Sequence, residues 1–280
     1  MTRLSMEEVV RGIRDLPSLP SIVLELLAAM DQDNASIGFL AERISQDQAL
    51  TAKTLRLANS SFYGMPAAVT TVQQAIAILG LGTVRMLVAA ASIKQTFNQE
   101  TNAGFNFKQF WQYAIATAIC AKSLAPGMGI APGMAFITGL LHDVGQLVLA
   151  MQFPILYTAV LAQVAADDCA LLDAERAVMG IDHARVGGAL AAHWSFPQMM
   201  HDAVEGHHAD HGAGAAELVL VVQLADALAH ALDLTGNPRE AVPVLPDAVW
   251  AHLPQDPQKL QRMTRDIVAE YQSICQILVG

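Results

Sequence analysis

Apolar residues recur along this chain at spacings of three and four, the mark of helices with one buried face, and nowhere alternate long enough to make a half-buried strand. The pattern predicts helices over residues 37–45, 48–59 and 72–79, each preceded by a capping residue: Ser36, Asp47 and Thr71. Gly80-Leu81-Gly82 interrupts the run, and a further helix is expected over residues 83–97. A polar stretch over residues 98–106, containing Gly104, then separates an N-terminal helical subdomain (1–100) from a helical core with a C-terminal extension (101–280). In the second part the period predicts helices over residues 107–124, 156–166, 170–179, 182–194, 198–208, 215–234 and 258–278, with one long apolar helix over 134–151 that Pro154 ends. Near the N-terminus, Ser5 stands three residues before Glu8, as in a capping box. The expected fold class is therefore all-α.

Composition narrows the classes. With 280 residues, 53% of them hydrophobic, the chain can fill a core without disulfides or a structural metal. A net charge of −10, a pI near 5.2 and the absence of any basic run argue against direct nucleic-acid binding, which rests on clustered Lys and Arg. The three cysteines, Cys120, Cys169 and Cys275, are far apart in apolar contexts and read as small hydrophobes in a reducing compartment. The mean hydropathy of +0.36 raises the question of a membrane, but the apolar stretch 215–234 carries Glu217, Gln223, Asp226 and Asp233, so no span is expected. The N-terminus has no apolar run of signal-peptide length, and a cytoplasmic location is expected. With only 15% charged residues, two readings stay open: an apolar surface covered by a partner, or a deep Ala-rich core.

From Ile44 the chain reads Ile-Ser-Gln-Asp-Gln-Ala-Leu-Thr-Ala-Lys-Thr-Leu-Arg-Leu-Ala-Asn-Ser-Ser-Phe-Tyr-Gly, a helix capped by Asp47 and closed by the polar turn Asn59 to Ser61. Upstream stands Leu16-Pro17-Ser18-Leu19-Pro20, and downstream come Ala75-Ile76, Leu79-Gly80-Leu81 and Val84-Arg85. Taken together these segments resemble, in order, the HDOD domain of bacterial signalling proteins over roughly residues 10–210. The resemblance implies an N-terminal helical subdomain packed on an HD-like helical core, a role in signal transduction with a signalling protein as partner, and generally no hydrolase activity. Lys53, Arg56 and Arg85 could bind an acidic partner, although charges of this kind are ordinarily solvated.

The chemistry lies in the histidines. Nine occur, most of them between Leu141 and His230. In Gly139-Leu140-Leu141-His142-Asp143-Val144-Gly145 an imidazole and a carboxylate stand side by side in an apolar helix, where an unpaired charge is costly. Either a divalent metal such as iron, manganese, zinc or magnesium, or a buried hydrogen-bond network, would satisfy them. HD-superfamily phosphohydrolases take ligands from an early His, the His-Asp doublet and a late Asp. The resemblance therefore implies that His142 and Asp143 are the doublet and Asp226 the late aspartate, with His183, His207 and His208 as the added ligands of the HD-GYP branch. Three departures stand out. Tyr113 occupies the place of the first His, Gln146 replaces a lysine that would face substrate phosphate, and the run Ala209-Asp210-His211-Gly212 lacks the Tyr-Pro signature and the glutamate.

His193, His201, His211 and His252 lie near helix ends or turns and read as solvent-facing, while His230 reads as a surface pair with Asp226 one turn away. No Gly-x-Ser-x-Gly or phosphate-loop sequence supports nucleophilic or nucleotide-loop chemistry. Three functions remain open: a non-catalytic signalling module with a degenerate HD-type metal site, a metal-dependent phosphohydrolase acting on a nucleotide or cyclic nucleotide, and a binding-only sensor of a small phosphorylated ligand.

Overall fold

The computed structural model describes residues 3–28, 37–97, 104–209, 216–236 and 242–279. These residues form helices and connecting turns, with no strand among them. The first part comprises α1 (Met6–Arg14), α2 (Ser21–Ala28), α3 (Ile37–Ser45), α4 (Gln48–Ala58), α5 (Val72–Leu79) and α6 (Leu81–Thr96). The second comprises α7 (Phe107–Leu124), α8 (Pro132–Leu141), α9 (Val144–Gln152), α10 (Pro154–Asp167), α11 (Leu171–Val178), α12 (His183–His193), α13 (Gln198–Gly206) and α14 (Glu217–Ala231), followed by α15 (Asp247–Trp250) and α16 (Pro257–Leu278).

The expected caps start these helices. Ser5 and Glu8 form a reciprocal capping box at α1, Thr71 and Gln74 form another at α5, and Asp47 accepts from the N–H groups of Ala49 and Leu50 at α4. Gly80 adopts φ +80°, a left-handed conformation that costs glycine nothing, so α6 starts at Leu81 rather than at residue 83. Ser36, the polar stretch 98–103 and the run 210–215 lie outside the described residues.

α7 is the central element, packed along α8, α14 and α16. Its Ala114, Ala116, Ala118 and Ala121 are buried, and small side chains let neighbouring helices approach closely. A Cβ at Gly139 of α8 would stand 3.0 Å from the Ala118 Cα and 3.1 Å from the Thr117 carbonyl oxygen. α16 also packs on α4 and α6, and an ion pair between Lys122 and Glu270 ties it to α7. α1 crosses in the other direction to lie on α9 and α12, where the Leu4 N–H donates to the Met179 carbonyl at 2.8 Å.

Two expectations are corrected. Arg85 is buried in α6 instead of solvated. The long helix expected over residues 134–151 is two helices, broken at His142–Asp143. The stretch Pro132–Gln152 has the length and composition of a membrane span, with mean hydropathy 1.5, but 83% of it is buried inside the fold. The apolar period runs straight through the break, which is why periodicity alone reads one element.

Candidate metal centre

The break between α8 and α9 creates the site. On a continuous helix consecutive side chains diverge by about 100°. Here Asp143 sits at φ −96°, ψ 10°, in the sparsely populated bridge region, and the chain turns so that His142 and Asp143 meet the same set of partners. A close crossing of α9 and α12 holds that turn. A Cβ at Gly145 would fall 1.9 Å from the His183 carbonyl oxygen and 2.7 Å from the Gly187 nitrogen, so only glycine fits. Asp143 stands at the N-cap of α9 yet makes no side-chain cap hydrogen bond. An aspartate at this position ordinarily caps its own helix; this one directs its oxygens to histidines instead.

His183 is the first residue of α12, placed there by the Asp182 cap, which accepts from the Arg185 N–H at 3.0 Å and from Arg176 at 2.8 Å. His207 and His208 follow the last turn of α13. Gln223 of α14 donates to the Ala209 carbonyl at 2.9 Å and so holds that turn in place, and Asp226 projects from the same helix three residues on.

All six residues singled out in the sequence converge. Asp143 Oδ1 lies 3.1 Å from His183 Nε2 and 3.3 Å from His207 Nε2, and His208 Nε2 lies 3.0 Å from His183 Nε2. One donor atom from each of Asp143, His183, His207 and His208 falls within 4.8 Å of the others. The other carboxylate oxygen of Asp143 faces His142 Nε2 at 3.3 Å, and that nitrogen faces Asp226 Oδ1 at 3.4 Å. Asp143 is thus shared between a three-histidine end and an end built from His142 and Asp226. At the second end the Tyr113 hydroxyl donates to Asp226 Oδ1 at 2.5 Å. His230 stands 4.0 Å from the same oxygen, the pair expected one turn along the helix, with its ring 4.5 Å from that of Tyr113.

The donor set fits a divalent ion. His142 Nδ1 and His207 Nδ1 each lie 2.7 Å from a backbone carbonyl, of Gly139 and Val204, which makes the δ nitrogen the N–H donor and turns the Nε2 lone pair into the site. His142 Nε2, His207 Nε2 and Asp143 Oδ1 are buried and make no hydrogen bond. Metal–ligand bonds of about 2.1 Å place neighbouring donors about 3.0–3.4 Å apart, the spacing of the Asp143–His183, Asp143–His207 and His183–His208 pairs.

Without a bound ion, the carboxylates hold protons on the facing imidazoles instead. Burial opposes a charge on His142, but Asp143 and Asp226 outweigh it and raise its pKa to about 10. His183 is likewise raised well above the usual imidazole range, its burial overcome by Glu175 and Asp143. Burial raises and the facing imidazoles lower the carboxyls, leaving Asp143 well below its ordinary value and Asp226 near 2. His208 sits at the rim, with one edge open to solvent and its ring packed 4.1 Å from that of His207. Desolvation of the packed side, together with His207 and His183, pushes its pKa down to about 3, a shift that the open edge tempers.

Two buried residues escape sequence reasoning. Glu175 of α11 accepts from the His183 backbone N–H at 2.8 Å and lies 2.6 Å from His183 Nδ1, while Tyr157 donates to its other oxygen at 3.3 Å. Neither has a signal in the sequence, since a glutamate between Ala174 and Arg176 on an amphipathic helix reads as surface. Beside the cluster opens a cavity of about 390 Å³, walled by His207, His208, Gln223, Asp226 and the stretch Pro243 to Pro246, with no Lys or Arg among the described residues that line it. Gln146 is half-buried, while His193 and His252 are solvent-exposed. The three cysteines are free thiols, Cys120 and Cys275 buried and Cys169 half-buried.

Comparison with known proteins agrees with this architecture. The chain is 29% identical over 201 residues to an uncharacterized protein of Treponema pallidum, a match covering 70% of this chain and 38% of that relative, so the chain spans well under half the length of the curated protein it matches. An HDOD domain protein with unknown function from Geobacter sulfurreducens superposes with a TM-score of 0.75 at 26% identity, covering 98% of this chain and 97% of the other. The MmoQ response regulator of Methylococcus capsulatus gives a TM-score of 0.51 at 26% identity, covering 90% and 99%. The model of the HDOD domain matches residues 16–210, well over half of the sequence. The chain belongs to the HDOD family.

Proposed function

We propose that this protein is an HDOD signal-transduction module that acts through contact with a signalling protein, without turnover, and holds one divalent metal at its three-histidine end. The observation that carries the reading is Tyr113. Its hydroxyl donates to Asp226 Oδ1, and the resemblance to HD phosphohydrolases sets it at the position of their first His ligand, which a second ion would need. Hydrolysis of a phosphoester asks for an activated water and for cations facing the phosphoryl oxygens. The described residues that line the cavity include no such cation, and by the resemblance Gln146 stands where a lysine would. An ion held by Asp143, His183, His207 and His208 would neutralise the buried aspartate and clip α9, α12 and α13 together, adding its binding free energy to the fold. The response-regulator name of the Methylococcus relative supports the signalling part of the reading.

The convergence of four imidazoles and two carboxylates also favours a second reading, a metal-dependent phosphohydrolase or a sensor of a phosphorylated ligand using the same residues. Elemental analysis of protein purified without chelators or metal resin, run beside a cyclic-dinucleotide hydrolysis assay with added manganese, separates them. About one metal per chain with no turnover is expected. Turnover that disappears in Asp143→Asn would establish the hydrolase and sink the contact-module reading.

A further inference from the structure

We infer that Glu175 is a positioning residue for the metal, acting through His183, with Tyr157 holding its carboxylate in place. This rests on the metal reading above and deepens it. Glu175 and Tyr157 are both fully buried, a setting in which a carboxylate is kept only when its oxygens are satisfied. Three donors converge on it: the His183 N–H and Nδ1 on Oε2, and the Tyr157 hydroxyl on Oε1. An acceptor-only carboxylate is the form that takes three donors. With Nδ1–H committed to Glu175, the His183 Nε2 lone pair is left for the site, where it lies 3.1 Å from Asp143 Oδ1 and 3.0 Å from His208 Nε2.

The contrast with His142 and His207 is informative. Those rings are oriented by neutral backbone carbonyls, whereas His183 alone among the three is oriented by an acid. A carboxylate behind an imidazole fixes its tautomer and raises its basicity as a ligand, and removing such a partner typically lowers metal affinity by about 10–100-fold. A purely structural tie from α11 to α12 would be served as well by an amide, since the backbone N–H would still find an acceptor.

The test is Glu175→Gln in the full chain, with cobalt(II) as the probe, its affinity and visible absorption bands measured beside the urea midpoint of the metal-free protein. Cobalt affinity should fall about 10–100-fold with shifted bands, and the same substitution made in a His183→Ala background should cause no further loss. Should Glu175→Gln fail to fold, Tyr157→Phe carries the test through a smaller loss of about threefold, the weaker effect expected of a partner one step further from the ion. Wild-type affinity and bands in the foldable variant would overturn the inference while leaving the metal site standing. Failure of the unaltered protein to take up cobalt at all would overturn the metal reading, and the inference with it.

Discussion

The two ends of the cluster share Asp143 and differ in almost everything else. At one end Asp143 Oδ1 faces His183, His207 and His208, with Glu175 behind His183. At the other, Asp143 Oδ2 and Asp226 Oδ1 flank His142, and Tyr113 donates to that same Asp226 oxygen. The first gathers three imidazole nitrogens about one carboxylate oxygen, with His207 Nε2 and Asp143 Oδ1 making no hydrogen bond, while the second has its carboxylate already satisfied by a hydroxyl. A cluster able to hold a metal and a hydrogen-bonded plug can therefore be built from neighbouring residues of one helix break. The hydroxyl of Tyr113 is what sets the second end apart.

Gly145→Ala should break the comparison most completely, because both ends hang on the same crossing. The added methyl would collide with the His183 carbonyl, a backbone atom that cannot rotate away, and α9 and α12 would have to separate. A loss of about 3 kcal/mol or more is expected in urea unfolding, together with loss of metal. Retained stability and metal content would show that the crossing is not what holds the site.

The next effect is smaller and depends on pH. In the metal-free protein His142, raised from 6.5 to about 10, contributes stability that is complete below pH 6.5 and disappears as pH rises through about 10. Asp143 and Asp226, lowered from 3.8, contribute above that value and lose their contribution as pH falls, Asp226 near pH 2. His183, raised well above the usual imidazole range, adds a like contribution at the three-histidine end, and an ion bound there would take the place of its proton, so that part of the alkaline loss should shrink when metal is bound. Urea midpoints of EDTA-treated and zinc-loaded protein at about pH 6 and about pH 9 would diverge mainly at the higher value. Parallel curves would mean that metal and protons do not compete at this cluster.

The parts of this site legible in the sequence are those whose chemistry is rare in an apolar setting. His142-Asp143 and Asp226 stand out because charge is costly there, and the order of segments from Leu16 onward carries the family. The break at residue 142 is silent because apolar spacing persists across it, and the cause, Gly145 against α12, is a tertiary contact with no local mark. Glu175 is silent for the opposite reason. It sits between exposed Asp173 and Arg176 on a helix whose polar face looks like surface, and only the fold buries it. Arg85 misleads in the same way, since a charge in a sequence is solvated by default until packing covers it.

Tyr113→Phe gives the finest test of the comparison, since it removes one oxygen and leaves the ring against His230. Asp226 would lose its 2.5 Å hydrogen bond, and an unsatisfied buried acceptor costs about 1–2 kcal/mol. If the two ends are independent, that loss should appear in metal-free and metal-loaded protein alike, with metal stoichiometry unchanged. Tyr113→His then asks the converse, by placing an imidazole beside Asp226 and His142. A second equivalent of manganese bound by Tyr113→His but not by Tyr113→Phe would show that the tyrosine alone closes that end. Loss of the first metal in Tyr113→Phe would show instead that the shared Asp143 transmits the change, and that the two ends are one site.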